Sequence, residues 1–125
     1  DSRFAQIVGQ LGDDANNTLI CVSSDHGEML GDHHDSGKTM PWSGSARVPL
    51  MCAGPGIAPG AIVHTPVTTM DLAATFLDFA GVEKAAGMSS TSLRPLLTGD
   101  SRALSSPPRA FVSSGLQKAN FKNGA

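Results

Sequence analysis

Thr18–Ser23 reads Thr-Leu-Ile-Cys-Val-Ser, a β-branched apolar run preceded by the polar turn Asp13–Asn17 and followed by a long polar, glycine-rich segment, Ser24–Ala46. Unbroken apolarity, without alternation, belongs to a strand covered on both faces, as in the sheet of an α/β protein. A second such run, Val48–Ala53, ends in Gly54-Pro55-Gly56. Upstream, Phe4, Ile7, Val8 and Leu11 keep the spacing of an amphipathic helix over Arg3–Leu11, with Ser2 as a candidate cap. Downstream, Leu72, Phe76 and Phe79, widened by Ala73, Leu77 and Ala80, predict a helix over Met70–Ala80. Thr68 or Thr69 stands where its cap belongs, and Gly81 where it should stop. Ser92–Leu97 has room for one or two turns, interrupted by Pro95, and Ala110–Ser113 is a candidate last strand.

These elements bound the architecture. At 125 residues the chain holds one domain, an α/β unit over 1–99 followed by a Ser/Pro-rich linker and possible terminal strand over 100–125. Two or three strands with two helices do not close a sheet. A strand covered on both faces needs neighbours, and open edges invite pairing with other chains. The chain therefore reads as a piece of something larger or as an oligomer. Phe4, Ile7, Val8, Leu72, Phe76 and Phe79 are assigned to the core, and Cys21 and Cys52, inside strand-like runs, read as reduced, buried thiols. Net charge is -2, which argues against a nucleic-acid backbone as partner. No apolar run approaches the roughly 20 residues of a transmembrane helix.

The chemistry concentrates after the first strand. Ser24–Lys38 carries three of the four histidines, His26, His33 and His34, beside Asp25, Asp32, Asp35, Glu28 and Lys38. Ligands bind α/β sheets at the carboxyl ends of strands, where loops converge on a crevice. Asp25 and His26 reach one ion only if the backbone bends, and Gly27 offers the bend. A carboxylate with an imidazole suits a divalent cation, with zinc, manganese and calcium all open on ligand type. Lys38, after Gly37, has a substrate anion as its natural partner, and His33 is a second candidate substrate contact. The competing reading of His33 and His34 is a solvated pair beside Asp32 and Asp35. Met29 and Trp42 flank the loop and either line a pocket or pack the loop down, and His64 reads as structural or exposed.

The run from Thr18 to Pro49, with Ser-Asp-His-Gly-Glu-Met-Leu-Gly-Asp-His, Gly-Lys and Arg-Val-Pro-Leu, resembles the sulfatases of the alkaline phosphatase superfamily. The resemblance continues through Gly54-Pro55-Gly56, Thr65-Pro66-Val67, Met70-Asp71-Leu72 with Thr75, and Gly81, and ends near Pro95-Leu96-Leu97 and Gly99. It implies a partial alkaline-phosphatase-like sandwich, a few strands of a mixed sheet with flanking helices, over 1–99. It also implies a divalent cation, most often calcium, held by an early carboxylate pair and a later Asp with Asn or His. Asp25 and His26 match the later pair, Lys38 matches the lysine that contacts the sulfate, and Arg47 is carried over as structural. The family's formylglycine comes from a Cys/Ser-x-Pro/Ala-x-Arg signature. Cys21 is followed by Val-Ser-Ser-Asp and Cys52 by Ala-Gly-Pro-Gly, so neither fits, and Asp13-Asp14 lies before the strand, not at its exit.

The resemblance thus implies the carboxyl-side portion of a sulfuric ester hydrolase, inactive by itself, with a sulfate ester as the parent's substrate. A phosphonate or phosphodiester hydrolase of the same superfamily shares these elements. A non-catalytic module that binds anions or a partner through its sheet edge is the reading from another class. A zinc domain built on His26, His33 and His34 is weaker, because adjacent His33 and His34 are poorly placed to share an ion.

Overall fold

A computed structural model describes residues 2–38 and 40–100. Helix α1 (Ser2–Gly9) leads through a 3-10 segment, Gly12–Asn17, into strand β1 (Ile20–Ser23). The polar segment follows, with a short 3-10 turn at Asp32–His34 and the single-turn helix α2 (Ser43–Ala46). Strand β2 (Leu50–Ala53), helix α3 (Asp71–Phe79) and the short helix α4 (Arg94–Leu97) complete the described elements. The candidate strand Ala110–Ser113 and the linker after Asp100 lie outside the described residues. No described helix is long and apolar enough to cross a membrane.

β1 and β2 pair antiparallel, with Ile20 opposite Ala53 and Ser23 opposite Leu50. Cys21 and Cys52 face one another in that register, their Cα atoms 4.2 Å apart, and form a disulfide. This corrects the expectation of reduced, buried thiols. Both residues are half-buried, and directly opposed positions bring their side chains onto the same face of the pair. The link joins the two strands on either side of the polar segment.

Among the described residues the buried positions are few and more of them are polar than apolar. Met29, Ala74 and Leu93 are joined by Ser45, Asp71, Thr75 and Ser90. Asp71 at the start of α3 organises one cluster. Its carboxylate accepts the Thr68 N–H at 3.0 Å and the Thr91 N–H at 2.9 Å, so a charge near the helix N-terminus ties two loops together. One turn on, the Thr75 hydroxyl donates to the Asp71 carbonyl at 2.7 Å and accepts the Leu93 N–H at 2.8 Å. Asp78 then receives the Ser92 hydroxyl at 2.5 Å and the Arg94 guanidinium at 3.1 Å. Those contacts, the Ser92 hydrogen bond first, outweigh desolvation and hold its carboxyl below the ordinary range. The pairing of α3 with α4 is therefore polar as much as apolar.

Three expectations change. Neither threonine hydroxyl caps α3; the Asp71 carboxylate instead reaches back to the Thr68 N–H just before the helix. Pro95 opens α4 and does not interrupt it, since a first-turn proline forfeits no helical hydrogen bond. Of the assigned core, Phe4, Ile7 and Phe76 are 46, 67 and 44% exposed, and α1 buries none of its residues. The two strands among the described residues offer too little apolar area to cover the helix stripes that the spacing located.

Candidate functional site

β1 ends at Ser23, and the next residues turn sharply. The Ser24 hydroxyl donates to the His26 carbonyl at 2.7 Å, and the His26 N–H donates to Asp25 Oδ1 at 3.0 Å. Gly27 then passes so close to α2 that a Cβ there would overlap the Gly44 carbonyl oxygen. Its own N–H donates to the Ser45 carbonyl at 2.7 Å. Glycine is required here by close approach of two backbones.

The bend brings Asp25 and His26 together as the sequence requires. His26 Nδ1 lies 2.8 Å from the Gly27 carbonyl oxygen, which can only accept, so Nδ1 carries the proton. In the neutral ring that leaves Nε2 with its lone pair outward, 3.5 Å from Asp25 Oδ2. Two electron-pair donors this close are satisfied by a positive charge between them. A backbone carbonyl fixing the tautomer is also the usual support of a metal-ligating histidine. The pair is open to solvent, with the side chains of His26 and Asp25 37 and 82% exposed. Among the described residues no group of three His, Cys, Asp or Glu is close enough to hold an ion together.

The polar segment folds back on itself to deliver Lys38. Met29 N–H donates to the Gly37 carbonyl and Gly31 N–H to the Asp35 carbonyl, both at 2.9 Å. Glu28 Oε1 accepts the Gly37 N–H, and Met29, 2% exposed, packs the loop down. Leu30, His33 and His34 all adopt positive φ, at 50, 52 and 60°, a backbone region uncommon outside glycine and asparagine. His33 stacks on Trp42, ring centroids 4.4 Å apart and 22° from parallel. At the far end the Lys38 carbonyl accepts the hydroxyl of buried Ser45 at 2.5 Å.

Asp25, His26 and Lys38 line one open cavity of about 2140 Å³, which also reaches Arg47 and His64. Ordinary ligand pockets occupy roughly 300–1,000 Å³, so this is a groove broader than one small molecule. Among the described lining residues the ionisable groups are one acid, Asp25, two permanent cations, Lys38 and Arg47, and two histidines. That balance favours an anion. His33 is not on the cavity wall; its ring is committed to Trp42. Arg47, read as structural, and His64, read as structural or exposed, both reach the groove. Arg47 follows α2 directly and His64 lies in the stretch after β2, so the groove draws its lining from segments on both sides of β2.

The Sulfatase family model matches residues 1–82. Arylsulfatase K of Danio rerio is 34% identical over 122 residues, covering 96% of this chain and 23% of the relative. Choline-sulfatase of Rhizobium meliloti (strain 1021) is 46% identical over 89 residues, covering 68% of this chain and 17% of that protein. The chain thus spans less than a quarter of the length of these relatives. Among solved structures, the phosphonate monoester hydrolase SpPMH from Silicibacter pomeroyi superposes with a TM-score of 0.75 at 34% identity. That match covers 89% of this chain and 21% of the other. The partial α/β architecture is accordingly an alkaline-phosphatase-like one.

Proposed function

The chain belongs to the sulfatase family, and on that premise we propose that it carries the later part of the divalent-metal site and the sulfate contact of a sulfuric ester hydrolase. The observation that supports the reading is that Asp25, His26 and Lys38 line one open groove together with Arg47. Asp25 Oδ2 and His26 Nε2 are the metal-holding atoms, and their donor set fits a divalent cation, with calcium preferred by the family resemblance. Such a cation, when bound, draws negative charge from sulfate oxygens. The Lys38 ammonium pairs with the same anion and is the catalytic residue of this segment, because charge spreads over the sulfuryl oxygens during transfer. His33, stacked on Trp42 and off the groove wall, is left out of this set.

Neither Cys21 nor Cys52 opens a Cys/Ser-x-Pro/Ala-x-Arg signature, the pattern's one match, Ser105–Arg109, falls in the Ser/Pro-rich stretch after the groove residues, and the chain alone is proposed to be inactive. A second reading, a phosphonate or phosphodiester hydrolase, is favoured by the superposition on a phosphonate monoester hydrolase. Both readings place a tetrahedral anion against Lys38.

The test uses the intact chain with inorganic sulfate, phenyl sulfate and phenyl phosphonate, followed by NMR and by turnover. We expect no turnover above background, and anion-dependent shifts at Lys38 that disappear in Lys38→Ala. Tighter phenyl sulfate than phenyl phosphonate supports the sulfatase reading, and the reverse order supports the second. Turnover surviving repurification overturns the inactivity, and shifts confined to other surfaces overturn the site.

A further inference from the structure

The metal-side turn and the anion-side lysine lie on separate pieces of backbone, 12 positions apart, yet both are fastened to one residue. Ser45 is 3% exposed and sits within α2. Its backbone carbonyl accepts the Gly27 N–H at 2.7 Å, directly after His26. Its hydroxyl donates to the Lys38 carbonyl at 2.5 Å. The neighbouring Gly44 carbonyl leaves no room for a side chain at Gly27, so the first attachment admits no slack. The second is the tie between α2 and the end of a loop that holds three non-glycine residues at positive φ.

We propose that Ser45 is a positioning residue that sets the spacing between the Asp25–His26 pair and Lys38, so that one anion meets the cation and the ammonium together. The proposal rests on the metal-and-anion reading above and adds to it the residue that couples the two halves. The division of labour follows from the bonds. The Gly27 attachment uses a backbone carbonyl and survives any substitution that keeps α2 folded. The Lys38 attachment uses the hydroxyl and is lost when that oxygen is removed. Removing it takes from the Lys38 carbonyl its donor among the described residues and loosens the lysine's backbone, while the donor atoms of Asp25 and His26 are untouched. A metal-side affinity that stays constant while its coupling to the anion disappears is therefore the expected signature.

The test is Ser45→Ala, with Ser45→Thr as the variant that keeps a hydroxyl, in the intact chain. Mn²⁺ and inorganic sulfate are titrated separately and together, with amide NMR at Gly27, Lys38 and Thr75. In the unmodified chain Mn²⁺ tightens sulfate several-fold, about the 5- to 150-fold usual for coupled sites or the lower end of it. Ser45→Ala keeps Mn²⁺ affinity within about two-fold, loses the tightening, and lowers the Lys38 order parameter while Gly27 stays protected; Ser45→Thr restores all three. Coupling that persists in Ser45→Ala, or that Ser45→Thr fails to restore while Thr75 keeps its shift, overturns the proposal. If the unmodified chain binds neither probe, the metal-and-anion reading fails. The positioning claim is then decided by Lys38 alone: loss of order in Ser45→Ala upholds it and unchanged order overturns it.

Discussion

Thr75→Val isolates one buried hydrogen bond that the α3–α4 junction depends on. Thr75 is 0% exposed and Leu93 5%, and the threonine hydroxyl is the acceptor for the Leu93 N–H at 2.8 Å. Valine matches threonine in shape, so the substitution removes the acceptor and opens no cavity. The other bond of that hydroxyl, to the Asp71 carbonyl, matters less, because carbonyls within a helix already accept an i+4 N–H. An orphaned buried N–H costs about 1–3 kcal/mol, and taking about 2 kcal/mol gives roughly a 30-fold drop in the folding constant. For a domain near this size that is a fall in Tm of about 8–16 °C. Urea unfolding followed by circular dichroism measures it, with hydrogen exchange at Leu93 to localise the loss. Thr75→Ser, which keeps the acceptor, is expected to cost about 0.8 kcal/mol for its missing methyl group and to leave Leu93 protected. A Thr75→Val protein within about 0.5 kcal/mol of the unmodified chain refutes the reasoning.

Gly27→Ala forces apart the turn and α2, and is expected to abolish sulfate shifts at Lys38 while the Thr75 region keeps its spectrum; unchanged shifts contradict the close-approach argument. The lowered Asp78 pKa makes its contribution complete above the ordinary value of 3.8 and lost as pH falls toward the folded value. With the side chain 38% exposed, the effect stays under about 1 kcal/mol, and Asp78→Asn should flatten that acid limb of the stability profile. Thiol titration of the unreduced protein should find no free cysteine, and reduction should cost about 2–4 kcal/mol; two titratable thiols before reduction contradict the cross-strand link.

Much of this was legible in the chain because it is written in local chemistry. The apolar runs around Cys21 and Cys52 locate both strands, and the stripe through Leu72 and Phe79 locates α3. The Asp-His-Gly turn and the Gly-Lys pair mark the groove before any coordinates. What escaped depends on contacts distant in sequence. The strand register that opposes Cys21 to Cys52 is set by pairing across the whole polar segment, so spacing alone leaves the thiols looking free. Ser45 is one serine among several in a polar stretch, and only the approach of Gly27 and Lys38 distinguishes it. The exposure of Phe4 and Ile7 reflects what faces the helix, which periodicity along the helix cannot express.

The central claim is that Asp25, His26 and Lys38 serve one bound anion beside one cation. Paramagnetic relaxation from Mn²⁺ tests it most directly, read on the full chain with and without sulfate. The account predicts weak binding, in roughly the 10⁻⁴–10⁻³ M range of the loosest oxygen-ligand sites. Broadening should centre on His26, extend to Lys38, and vanish in Asp25→Asn. Broadening centred on Asp13-Asp14 or on Asp32 and Asp35, indifferent to Asp25→Asn, would contradict it.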